Sequence, residues 1–97
     1  MQVELDGRQI RSTADFHAEI ARLLDFGPYY GKNLDALWDR VSFDVERPVR
    51  LVWNHAQVSR KAMGKDRFDE IVAILRRAEE HDRNRGEAER FELSIID

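Results

Sequence analysis

Three short segments of alternating apolar and polar residues, set far apart along the chain, constrain its fold more than any other feature. Val3 and Leu5 alternate with Gln2, Glu4 and Asp6 and are followed by Gly7, the pattern of a first strand and its turn. Pro48 opens a second, in which Val49, Leu51 and Trp53 share one face. Val52 on its other face reads as a strand covered on both sides, hence a central one. Phe91, Leu93 and Ile95 alternate with Glu92, Ser94 and Ile96 in a third. A parallel crossover needs about a dozen residues or more, and both connections are longer than that. The expected architecture is α/β, a three-stranded parallel sheet packed with about four helices.

The connections carry helical spacing. Ser12 or Thr13 is placed to cap a helix with Asp15 in its first turn and Phe16, Ile20, Leu23 and Leu24 on one face, stopped by Gly27-Pro28. Asn33 is a good N-cap for a second helix, in which Leu34, Leu37 and Val41 form one apolar face. Asn54 is placed to cap a short helix through Met63, ended by Gly64. Asp66 starts a long helix with Phe68, Ile71, Val72, Leu75 and Ala78 on one stripe. The charged tract Glu79–Glu89, with Gly86 inside it, is expected to fray into a loop.

At 97 residues the chain has room for one core, so residues 1–97 are expected to form a single domain. There is no cysteine, which removes disulfides, thiolate metal sites and a cysteine nucleophile. No apolar run has membrane-spanning length, and the Met1–Asp6 start lacks the features of a secretory signal; a cytoplasmic protein is expected. The net charge of -3 argues against nucleic-acid binding, which needs clustered Lys and Arg.

That negative charge is concentrated. Between Asp25 and Glu46 stand five acids (Asp25, Asp35, Asp39, Asp44, Glu46) against two bases (Lys32, Arg40), so this stretch carries the whole excess of -3. Within it, Tyr29-Tyr30-Gly31-Lys32-Asn33-Leu34-Asp35-Ala36-Leu37-Trp38-Asp39 sets two tyrosines, a tryptophan and two aspartates around a glycine turn and a helix start. Gly31 is suited to a turn that other residues resist. Asp35 and Asp39, four apart, share a helix face, and Trp38 lies beside them and off the apolar stripe. Charge alone favours a solvated acidic face, Trp38 alone favours a core-edge residue, and the tyrosines alone are consistent with a loop packed over the core. Together they also make a surface for a basic cleft, since aromatic residues anchor interfaces and carboxylates need paired cations when desolvated.

The string Gly27-Pro28-Tyr29-Tyr30-Gly31-Lys32-Asn33-Leu34-Asp35-Ala36-Leu37-Trp38-Asp39 closely resembles the signature loop and helix of the barstar family, intracellular inhibitors of barnase-type bacterial ribonucleases. Asp6–Ser12, Val45–Trp53, Arg76-Arg77-Ala78-Glu79 and the Ile-rich C-terminus resemble the family in order, so the likeness covers nearly the whole chain. The resemblance implies a barstar-like fold and a non-enzymatic ribonuclease inhibitor, an immunity protein of the cytoplasm. It would block the nuclease with the loop and helix of residues 29–46. Asp39 would stand in for the RNA phosphate among basic catalytic side chains, and Asp35 would be a second acid. Tyr29 would cover the catalytic histidine region, and Gly31, Asn33, Leu34 and Trp38 would shape the contact. Tyr30, Ser42, Asp44 and Glu46 complete the expected partner-binding set. The implied partner is a basic bacterial ribonuclease, with the free inhibitor a monomer. Two positions depart from the family's namesake: Arg77 aligns with an interface acid and Asp44 with a tryptophan. They leave open the alternative of a barstar-fold binding or immunity module for a different nuclease or a regulatory partner.

Nothing else in the sequence competes. His17, His55 and His81 fall on three different expected elements and are assigned surface or capping roles rather than a zinc site. There is no phosphate-binding glycine loop, and Ser42, Ser59 and Ser94 lack a nucleophile context. No cofactor is expected. An Asp35/Asp39 hydrolytic pair would need a cleft to raise one pKa, which a convex helix does not provide. The Arg-rich tract from Arg76 to Arg90 is interleaved with acids and reads as a solvated face.

Overall fold

The computed structural model describes all of residues 1–97. In chain order it holds strand β1 (Gln2–Asp6), helix α1 (Thr13–Leu24), helix α2 (Leu34–Asp39) running into a π-helical turn (Arg40–Asp44), strand β2 (Val49–Asn54), helices α3 (Ala56–Met63) and α4 (Lys65–Asn84), and strand β3 (Phe91–Ile95). The sheet is parallel in the order β1-β2-β3, with Leu5 paired to Trp53 and Leu51 to Leu93. The α/β architecture with a three-stranded parallel sheet and four helices is as the alternation and connection lengths predict.

Right-handed crossovers stepping the same way across a sheet place all helices on one face. The burial agrees. Leu5, Val49, Leu51, Trp53, Phe91 and Leu93 are buried in one cluster with Phe16 and Ile20 of α1, Leu37 and Val41 of the α2 segment, and Phe68, Ile71, Leu75 and Ala78 of α4. The opposite face carries exposed Gln2, Glu4, Arg50 and Glu92, with Arg50 bridging Glu92 at 3.4 Å. Strand β2 is central, as expected, but it is not covered on both sides. Val52 is buried on the polar face, between its cross-strand neighbours Glu4 and Ser94, and lies outside the core cluster.

Polar bonds fix how the layers meet. The Trp53 indole N–H donates to Ser59 Oγ at 3.1 Å, and the Ser59 hydroxyl donates to the Gly7 carbonyl at 2.9 Å, so β2, α3 and the end of β1 are tied through one buried hydroxyl. Gly7 must lack a side chain, because a Cβ there would collide with the His55 carbonyl. Ser12 caps α1 by accepting from the Asp15 N–H at 3.0 Å.

Several element boundaries differ from expectation. Helix α1 ends at Leu24 with Asp25 in the left-handed conformation, before the Gly27-Pro28 stop. Asn54 ends β2, and left-handed His55 precedes α3 without a side-chain cap. The charged tract from Glu79 stays helical through Asn84 because its acids have fixed partners. Glu79 accepts from the Leu93 N–H at 2.8 Å, and buried Asp82 accepts from the Phe91 N–H at 2.7 Å and from Arg47.

Candidate functional site

The acidic surface begins with a loop held from inside. Tyr30 is only 6% exposed; its hydroxyl lies 2.7 Å from Nδ1 of buried His17, and its ring packs on Phe26. Burial pushes the Tyr30 phenol up and the His17 imidazole down, the latter helped by the charge of Lys32, so the pair is neutral at pH 7. Tyr29, its neighbour, is thrown outward and is 90% exposed. The expected surface role of Tyr30 is corrected to one of anchoring, and the surface or capping role of His17 to a buried one.

Lys32, not Gly31, takes the left-handed turn conformation, with φ of 55°. What Gly31 provides is room: a Cβ there would sit 3.3 Å from the Ala36 Cβ. Asn33 then caps α2, its Oδ1 accepting from the Ala36 N–H at 2.8 Å. Leu37 and Val41 go into the core and Leu34 and Trp38 are half-buried, leaving Asp35 and Asp39 exposed. Neither aspartate makes an ion pair or a side-chain hydrogen bond within the chain, and neither does Glu46. The neighbouring base Arg40 turns to Asp44, 3.7 Å away. Asp35 and Asp39 line none of the surface pockets, although Lys32, Asn33 and Leu34 just before them line one with His17 and Arg67.

The π-helical turn that follows presents a different chemistry. Ser42 is buried with its hydroxyl unpartnered, which corrects its expected place in the contact set. Phe43 is 64% exposed and stands edge-on to Trp38 (6.4 Å between centroids) and to His81 of α4 (6.1 Å). The Arg77 guanidinium lies 4.3 Å from the centre of the Trp38 ring. Phe43 and His81 were missed by sequence reasoning; the available signal for Phe43 was an aromatic residue between Ser42 and Asp44, off the Leu34–Val41 stripe.

Arg47 fixes the end of this segment. Its Nε and Nη2 donate to Asp82 at 2.7 and 3.3 Å, and Nη1 to the Val45 carbonyl at 2.9 Å. Burial pushes the Asp82 carboxyl up, but the bonds from Arg47 and the Phe91 N–H outweigh it and hold the group below the usual carboxylate range. The chain from Tyr29 to Glu46 is thus pinned at Tyr30, along Leu37 and Val41, and at Arg47. Tyr29, Asp35, Asp39, Asp44 and Glu46 are left projecting. No group of three or more His, Cys, Asp or Glu side chains is placed to hold a metal ion. What such a surface does chemically is present fixed carboxylates and aromatic area to a partner.

The family described as Barstar (barnase inhibitor) matches residues 1–94. A protein of Bacillus subtilis (strain 168), provisionally named ribonuclease inhibitor YrdF, is 33% identical over 79 residues, which is 81% of this chain and 86% of that protein.

Proposed function

This chain belongs to the barstar family, and we propose that it inhibits a basic, barnase-type bacterial ribonuclease by filling the active site with the surface between Tyr29 and Glu46. Family membership makes it an inhibitor protein rather than an enzyme. The observation that supports this mode is that Asp35 and Asp39 are exposed on a rigidly anchored helix and have no cation of their own. A carboxylate that must lose water on binding needs a cation or N–H donors from the partner. A cleft built to hold RNA phosphates supplies both.

Asp39 takes the place of a substrate phosphate and accepts hydrogen bonds from the basic catalytic groups. Asp35 accepts from a second set of donors at the lip of the cleft. Tyr29 lies over the catalytic histidine region, and Trp38, Leu34, Asn33 and Gly31 give the contact its shape. Nothing is turned over; the nuclease is blocked by occupancy and by charge. Residues 1–97 act as one domain, monomeric when free, in the cytoplasm of the cell that makes the nuclease. No helix of the chain is long and apolar enough to cross a membrane.

Titrating barnase-type ribonuclease activity with this protein tests the reading. Activity should fall to zero at one inhibitor per enzyme, and full activity under excess inhibitor would refute it. A second reading, in which the same surface serves another nuclease or a regulatory partner, is favoured by Arg77 and Asp44 at the edge of the surface. Capture of a different protein, with no ribonuclease inhibited, would select it.

A further inference from the structure

The rim of the acidic surface carries a cation without an acid. Three arginines, Arg76, Arg77 and Arg83, lie within about two turns of α4. Arg76 pairs with Glu79 at 3.2 Å and Arg83 with the same carboxylate at 3.6 Å. Arg77 pairs with none, although exposed Glu80 is three residues on, within reach along the helix. It is held instead on the face of Trp38, 4.3 Å from the ring centre, a stacking contact that fixes a planar guanidinium while leaving its N–H groups free to donate. Phe43 and His81 are edge-on to the same indole at 6.4 and 5.8 Å. The guanidinium therefore sits on an apolar aromatic floor, where a partner closing over it would exclude water.

We propose that Arg77, stacked on Trp38, is a specificity-determining residue that takes a carboxylate from the target. This rests on the inhibitor reading above and adds to it the chemistry of one part of the partner: a predominantly basic cleft with an acidic side chain on the rim that faces α4. Charge complementarity carries the inference. Asp35 and Asp39 select bases, while the unpaired, pre-oriented fork of Arg77 selects an acid a short distance away and repels a nuclease whose rim is basic there. The pair forms over aromatic carbon, so it is less screened than an ordinary surface ion pair.

The test uses a barnase-type ribonuclease and a set of its variants, each with one Glu introduced on the rim of the RNA cleft. Inhibition constants are measured for the wild-type chain and for Arg77→Ala, Arg77→Lys and Arg77→Glu. At least one Glu-bearing ribonuclease should be inhibited about ten-fold more tightly than its parent by the wild type. That gain should vanish with Arg77→Ala, shrink with Arg77→Lys and reverse with Arg77→Glu. Equal thermal midpoints for the four inhibitors show that the effect is not one of folding. If inhibition is seen but no Glu variant gains, or if the gain survives Arg77→Ala, the assignment of Arg77 is wrong and the inhibitor reading stands. If neither the parent nor any variant is inhibited, the inhibitor reading fails and this inference falls with it.

Discussion

Tyr29 and Tyr30 are the same residue type at adjacent positions, and the fold gives them opposite duties. Tyr30 faces His17, thirteen residues earlier, and that distant partner decides which tyrosine is anchor and which is probe. The His17–Tyr30 pair also makes stability depend on pH. The folded imidazole titrates below its ordinary value because of burial and then Lys32, so the unfolded chain takes up its proton first. Stability contributed by the neutral imidazole is therefore complete above about pH 6.5 and is lost as pH falls through the folded value. Urea midpoints taken from about pH 7.5 down to about pH 5 should decline in the wild type. His17→Leu should cost about 1–3 kcal/mol at the upper end, by leaving the Tyr30 hydroxyl unpartnered. Its deficit should narrow towards the lower end; a constant gap would show that His17 does not titrate in this range. Asp39 has the converse character. It is exposed and bonded to nothing, so Asp39→Ala should leave the unfolding midpoint within about 0.5 kcal/mol of wild type. The same change should weaken ribonuclease binding by at least about 2 kcal/mol, roughly thirty-fold, as expected of a hot spot. Asp69→Ala on α4, which breaks only the exposed Lys65–Asp69 pair, should leave binding unchanged; similar losses from both would misplace the interface.

Among the elements, the last two turns of α4 depend most on contacts from outside their own sequence. They are held by Arg47, thirty-five residues before Asp82, and by the edge of β3, whose Phe91 and Leu93 N–H groups bond to Asp82 and Glu79. Those two carboxylates also occupy the free edge of the sheet, where unpaired N–H groups would otherwise invite another strand. Asp82→Ala would leave the Arg47 guanidinium largely buried without its anion and should cost about 3–5 kcal/mol. Replacing both partners, Arg47→Met with Asp82→Leu, should recover part of that loss. A double variant no better than the single one in urea unfolding would show that the pair is not the source of the loss. The contribution of Asp82 is present above the unfolded carboxylate value near 4 and lost as pH falls through its lower folded value. This dependence explains what was legible in the chain. The strands, Ser12 and Asn33 as caps, and the Leu37, Val41 and Phe68–Ala78 stripes rest on local patterns and could be read directly. The persistence of α4 through Asn84, the inward turn of Tyr30, the burial of Ser42 and the stacking of Arg77 are set by partners remote in sequence. Local composition does not reveal them. In the candidate site the acids were legible by type and spacing, whereas Phe43 and His81 emerged only when the π-helical turn was laid against α4.

For the molecule as a whole, the arrangement of charge matters more than its modest total. The radius of gyration is 12.5 Å, about what a folded chain of this length should have, and the extents are 36 × 29 × 22 Å, so charges on opposite sides stand several Debye lengths apart at physiological salt and a partner senses mainly those nearest to it. Arg40 and Arg47 are both turned to acids of their own, so neither neutralises Asp35, Asp39 or Glu46. A basic nuclease approaching this side meets a negative patch, and one approaching the polar sheet face meets the mixed charges of Glu4, Arg50 and Glu92. Steering of this kind acts on the encounter, and ordinary salt screens it. It should therefore divide the acids by their position in the complex. Glu46, beyond the π-helical turn, is a rim charge in the proposed mode: Glu46→Gln should slow association by no more than about one decade. It should also flatten the fall of the association rate with ionic strength while leaving dissociation unchanged. In the proposed mode Asp39 is central and desolvated on binding and should do the reverse: Asp39→Asn should accelerate dissociation far more than it slows association, and the effect should persist in high salt, because a paired group in a dry cleft is little screened. Stopped-flow mixing with a barnase-type ribonuclease across a range of salt concentrations separates the two rates. If Glu46→Gln and Asp39→Asn change the same rate in the same proportion, the patch is one undifferentiated field and Asp39 does not enter the cleft.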